Sequence, residues 1–212
     1  YSGKDKILIG NYELLKQSEQ LPSYWETEEI NKTRISIKDF YIDEQKNKCC
    51  YCLKIINSSH GRAWAVEHIV PKSIYPQFMF EPRNLSVSCI DCNSAKSNQN
   101  VLTKAITKKY PSKSDYFSIV HPHYDEFSDH IGILLDVVYF AKSAKGGQTI
   151  KICNLTRYSY SGVGWDSSLA SNPLLVEKFN SLMNTNDDNS KSLLIMEILS
   201  ILQITTSRTL LN

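Results

Sequence analysis

The 212 residues are 42% hydrophobic and 22% charged, an ordinary globular composition that fits one large domain or a small module with additions. No run reaches the ~18 apolar residues of a membrane span, and the opening YSGKDKILIGNYELLK lacks the apolar core of a secretory signal, so the expected location is the cytoplasm with no membrane partner. A net charge of +2 neither demands nor excludes a polyanionic partner, because a local basic face matters more than the sum.

In chain order, residues 34–48 (RISIKDFYIDEQKNK) carry Ile37, Phe40, Tyr41 and Glu44 at helical spacing, predicting a helix that delivers the chain into CCYC at 49–52. After a polar turn at 57–62, AWAVEHIV reads as a strand cut by Pro71. A loop with two prolines and three aromatics follows, and residues 89–110 open on a second cysteine pair and are expected to continue as a helix. Beyond 117, GILLDVVYFAKS and QTIKICNL read as strands joined by a hairpin turn at AKGG. NPLLVEKFNSLM and SKSLLIMEILSILQ then read as two amphipathic helices linked by NTNDDNS.

Five of the six cysteines fall in two tight clusters. In a chain without a secretory signal, that pattern points to metal rather than disulfides. Cys49-x-x-Cys52 and Cys89-x-x-Cys92 are two knuckles, each able to place two thiolates on one ion, so together they predict a closed structural zinc site. Cys50 is assigned to packing beside that site and Cys153 to the apolar core. Between the knuckles lies VEHIVPKS, where Glu67 and His68 stand side by side; alone, such a pair is more often a surface or core feature.

The order Cys-x-x-Cys, Glu67-His68-Ile69-Val70-Pro71-Lys72-Ser73, Asn84-Leu85 and Cys89-x-x-Cys92-Asn93-x-x-Lys96 resembles the HNH nuclease family, most specifically over residues 46–100. That resemblance implies an α+β fold built on a ββα-metal finger. An N-terminal helical segment (1–45) would precede the nuclease finger (46–110), and a C-terminal β-hairpin with helices (111–212), a candidate partner-binding region, would follow it.

By the same resemblance, His68 would be the general base and Asn84 would pin the loop that orients it. Asn93 and Glu67 would hold one Mg²⁺ or Mn²⁺. Lys96, one helical turn after Asn93, would reach a phosphate. Apart from the resemblance, the basic residues Lys72, Arg83, Lys54, Arg62, Lys104, Lys108 and Lys109 near the finger are candidates for a nucleic-acid path, although each singly is more often a solvated side chain. Two departures are visible: Glu67 stands where many members have Asp, and Asn93 where many have His, which favours a hard cation over a catalytic zinc.

The flanking helix and the segment HPHYDEFSDHI resemble, more loosely over about 35–160, the nuclease components (PtuB) of Septu-type anti-phage systems and some retrons, where the finger is paired with an ATPase. The expectation is therefore a DNA endonuclease of prokaryotic defence acting with an ATPase. Its rivals are a non-catalytic zinc module binding nucleic acid or protein, and an RNA- or tRNA-directed nuclease. His121, His123 and His130 with Asp125 and Asp129 match no closed metal template and are expected to cap the finger. Arg157 is left between an internal ion pair and a phosphate contact.

Overall fold

The computed structural model describes Tyr1 and residues 3–58, 63–105, 108–134, 136–158 and 172–209, with side chains as far as 201. It is mixed α and β and divides into two compact units, Tyr1–Tyr124 and Asp125–Asn212. The unit boundary falls after Tyr124, so residues 111–124 pack with the cysteine-bearing region rather than with the C-terminal elements.

In the first unit, helix α1 (Gly3–Glu13) buries Ile9 and Tyr12, and α2 (Asn31–Glu44) buries Thr33, Ile37 and Tyr41. Those three positions lie four apart, one stripe of a helix, while Phe40 points outward. The helix stops earlier than its sequence suggests because Lys46 and Asn47 take positive φ (51° and 57°) and turn the chain into the first knuckle. Strands β1 (Trp64–His68) and β2 (Leu85–Cys89) pair antiparallel from Trp64↔Cys89 to His68↔Leu85. Helix α3 (Ile90–Lys96) follows β2 without a loop.

Ile9, Tyr12, Trp25, Ile37, Tyr41, Trp64, Phe80 and Leu85 belong to a single core cluster. The N-terminal helices are thus part of the same core as the strands.

The helix expected over 89–110 ends at Lys96. Ser97 has φ 49°, and Asn100 turns the chain by accepting the Leu102 N–H at 3.1 Å. Short polar side chains here offer the backbone partners that compete with helix continuation.

The second unit holds α4 (Phe127–His130), strands β3 (Ile131–Leu134) and β4 (Val138–Ala141), and helices α5 (Ala144–Ile152), α6 (Pro173–Asn184) and α7 (Asp188–Thr209). The hairpin is real, but its turn passes through Asp136 (φ 59°), not AKGG. Ser143 instead caps α5, its Oγ accepting the Gly146 N–H at 3.1 Å, so AKGG is the first turn of a helix. Cys153, expected in a strand, is buried at the end of that helix. The helix at 173 starts where Asn172 Oδ1 accepts from Leu174 and Leu175 just before and across Pro173. Phe140 stacks on Phe179 at 4.5 Å in the core of this unit. No helix among the described residues is long and apolar enough to cross a membrane.

Candidate metal centre and catalytic cleft

The first knuckle closes because Leu53, at φ 56°, turns the chain so that its N–H reaches the Cys49 carbonyl at 3.0 Å and Lys54 O receives the Cys49 N–H. The Cys50 N–H donates to the Val87 carbonyl at 3.1 Å and ties this knuckle to β2. The second knuckle is the β2–α3 junction itself, where the Cys92 N–H points at Cys89 Sγ from 3.4 Å.

The sulfurs of Cys49, Cys52, Cys89 and Cys92 all lie within 4.8 Å of one another and all four residues are buried. Cys52 and Cys89 sulfurs are 4.0 Å apart, far beyond a disulfide and close to the ~3.8 Å edge of a tetrahedron around zinc at ~2.3 Å. Hydrogen bonds from Cys49, Cys52 and Cys92 pull the Cys89 thiol far below its ordinary value, and the same crowding pushes Cys52 and Cys92 far above theirs. Four thiolates so close need a dication between them. The donor set fits zinc.

Strand β1 ends at the second feature. His68 is 8% exposed and its Nε2 lies 3.1 Å from the Met79 carbonyl. A carbonyl only accepts, so Nε2 carries the proton and Nδ1 is the lone-pair nitrogen of the neutral ring. Trp25 meets the imidazole edge-on at 4.5 Å. Burial, reinforced by Lys72, drives the His68 pKa down to about 3.

Asn84 is fully buried and holds the intervening loop by three bonds. Its Oδ1 accepts the Val70 N–H at 2.7 Å, and its Nδ2 donates to Val70 O at 3.1 Å and Phe78 O at 2.9 Å. Phe78 precedes Met79, so Asn84 holds the chain one residue before the carbonyl that fixes His68.

His68, Glu67, Asn93 and Lys72 line one cleft of about 450 Å³, with Trp25 and Glu26 of the N-terminal segment in its wall. Lys72 Nζ is 3.8 Å from Glu26, which also pairs with Arg34 at 3.0 Å. Two expected nucleic-acid contacts sit elsewhere. Arg83 lines a separate cleft of about 920 Å³ with Lys108, Lys109 and Tyr124, and its guanidinium lies 5.9 Å from the Tyr124 ring centroid.

Lys96 is fully buried. Its ammonium lies 2.6 Å from Glu67 Oε1 and donates to the His68 carbonyl at 3.1 Å, so it faces the protein interior, not a phosphate. A lysine at the end of a seven-residue helix reaches back along its stem onto β1, which the spacing of the motif does not reveal.

The Tyr51 hydroxyl donates to the same Glu67 oxygen from 3.1 Å. Burial raises the Glu67 carboxyl above its ordinary value, while Lys96 and Tyr51 pull it back. Tyr51, Trp25 and Gln45 escaped the sequence reading. Gln45 clamps β2, accepting from Ser86 Oγ at 2.7 Å and the Val87 N–H at 2.8 Å. The one signal for Tyr51 was its place inside the first CxxC.

The histidine-rich segment divides at the unit boundary. His121 is buried, stacked on Tyr124 at 4.2 Å and bonded to Tyr110 Oη at 2.9 Å, and His123 donates to Leu85 O at 2.7 Å. Both hold the chain after α3 against the first unit. In the second unit Asp125 pairs with Lys145 at 2.6 Å and His130 bonds Ser143 Oγ at 2.7 Å. Among the described residues the four cysteines are the one metal-type cluster of His, Cys, Asp or Glu. Arg157 caps the carbonyls of Cys153 and Asn154, both at 2.8 Å. Arg62 lies outside the described residues.

Comparison with known proteins places one relative beside this geometry. The chain is similar to the Septu protein PtuB of Bacillus thuringiensis, 30% identical over 121 residues that make up 57% of this chain. The match spans 41% of that relative's length. No family model matches the chain, and no solved structure matches it.

Proposed function

We propose that the chain is a metal-dependent HNH-type endonuclease, built on a ββα-metal finger, that hydrolyses phosphodiester bonds in DNA. We further propose that it works in a Septu-type anti-phage system beside an ATPase partner. The observation that carries the chemistry is the His68 arrangement: Nε2–H is committed to the Met79 carbonyl, and the ring lines a cleft shared with Glu67 and Asn93. The similarity to PtuB supports the biological setting.

In this reading Nδ1 of His68 takes a proton from water as the water oxygen attacks phosphorus. The bond to the 3′ oxygen breaks and the departing oxyanion takes a proton from solvent water, leaving 5′-phosphate and 3′-hydroxyl ends. A phosphodiester anion in the cleft stabilises the imidazolium and lifts the His68 pKa from its low value toward the range where it works as a base. Lys72 lies in the same cleft as a cation for the phosphate.

Glu67 and Asn93 supply two oxygen donors, with no sulfur or second imidazole, and so fit a hard Mg²⁺ or Mn²⁺. Such a cation would offset charge on the pentavalent phosphate and the departing 3′ oxygen. Zinc in the four-cysteine site holds the two knuckles together and with them the β1–β2–α3 unit.

The test is incubation of zinc-loaded protein with supercoiled plasmid in Mg²⁺ or Mn²⁺, followed by DNA ligase. Nicks that reseal without phosphatase or kinase treatment are expected. Cleavage that needs no added divalent cation, or ends that ligase cannot seal, would count against the reading.

A further inference from the structure

Glu67 meets two donors that the proposed chemistry does not use. Tyr51, Glu67 and Lys96 are 1%, 2% and 0% exposed, and both the Tyr51 hydroxyl and the Lys96 ammonium fall on Oε1. Both donors thus hold the carboxylate through the same oxygen, Oε1. Tyr51 lies between Cys49 and Cys52, so its place is set by the closing of that knuckle. Lys96 terminates the helix that begins at the second knuckle.

We propose that Tyr51 and Lys96 are positioning residues that fix the Glu67 carboxylate for the divalent cation, coupling the four-cysteine centre to the catalytic cleft. The inference rests on the reading of Glu67 as a cation ligand. It assigns Lys96 a role as fixed counter-charge inside the protein. Because one positive charge already faces Glu67, the cation site is weak by design and sensitive to the carboxylate's orientation. Outer-shell partners of a ligating carboxylate typically change metal affinity about 10–100-fold when removed.

The experiment is Mn²⁺ titration followed by electron paramagnetic resonance on the zinc-loaded full chain, for wild type, Tyr51→Phe and Glu67→Gln. Closure of the knuckle in each variant is checked by the thiolate-to-cobalt absorption of Co²⁺-substituted protein. Tyr51→Phe is expected to keep that absorption, to bind Mn²⁺ about tenfold more weakly, and to need correspondingly more Mn²⁺ for half-maximal cleavage while kcat at saturation changes little.

Mn²⁺ affinity equal to wild type in Tyr51→Phe would overturn the proposal. So would loss of the cobalt absorption, which would make Tyr51 merely structural to the knuckle. If Glu67→Gln also binds Mn²⁺ like wild type, the assignment of Glu67 as ligand fails, and the proposal falls with it.

Discussion

At the scale of single residues, the site is governed by burial. His68 is neutral in the folded protein because its surroundings and Lys72 disfavour the imidazolium, while in the unfolded chain it titrates near 6.5. The folded state therefore binds fewer protons than the unfolded one below that value. The stability contributed by neutral His68 is fully present above pH ~6.5 and is lost as pH falls toward about 3. Between pH 7.5 and 5 the stability of wild type relative to His68→Gln should drop by about 2 kcal/mol, read by urea denaturation of zinc-loaded protein. A pH-independent difference would mean that His68 is not held neutral.

The Lys96–Glu67 pair makes a second prediction at this scale. Lys96→Met leaves a buried carboxylate without its partner and should cost about 3–5 kcal/mol. Glu67→Gln combined with Lys96→Met should recover a large part of that loss, which a double-mutant cycle would show as strong coupling.

At the scale of elements, the two knuckles and α3 act as one clip. Cys89 ends β2, caps α3 with its sulfur and belongs to the four-thiol site, so Cys89→Ser should lose zinc and loosen the β1–β2 pairing together. Zinc content and hydrogen exchange of the Ala65–Glu67 amides would report both. In the second unit, a Cβ at Gly146 would fall on the His130 carbonyl, so Gly146→Ala must push α5 away from α4. A loss of about 1–3 kcal/mol is expected, measured by thermal unfolding.

The elements also show what a sequence can and cannot carry. The four clustered cysteines, β1 and its end near Pro71, and both C-terminal helices were legible because their signals are local: spacing, alternation and capping. Two local signals pointed the wrong way. VLTKAITKKY has helical composition, but Ser97 and Asn100 break the helix before it; AKGG has turn composition, but the Ser143 cap recruits it into α5. Lys96 and Tyr51 were beyond reach for a different reason. Their partners lie 29 and 16 positions away in sequence, on a strand whose register decides which side chains meet.

At the scale of the whole molecule, the N-terminal helices are not an appendage. Trp25 packs on the imidazole of His68 and Tyr12 and Tyr24 pack with Phe80, so the segment before the first knuckle builds one wall of the cleft. Truncation of residues 1–30 should therefore abolish cleavage while the cysteine motifs remain intact.

His68 is the residue on which the proposed chemistry turns. Supercoiled plasmid should be mixed with zinc-loaded wild type and zinc-loaded His68→Gln in Mg²⁺ and in Mn²⁺, each alone and with the proposed ATPase partner. Nicking by wild type is expected, with nicking by His68→Gln at least a hundredfold slower at equal zinc content. Equal rates from the two proteins, or no cleavage by wild type under any of these conditions, would contradict the proposed chemistry.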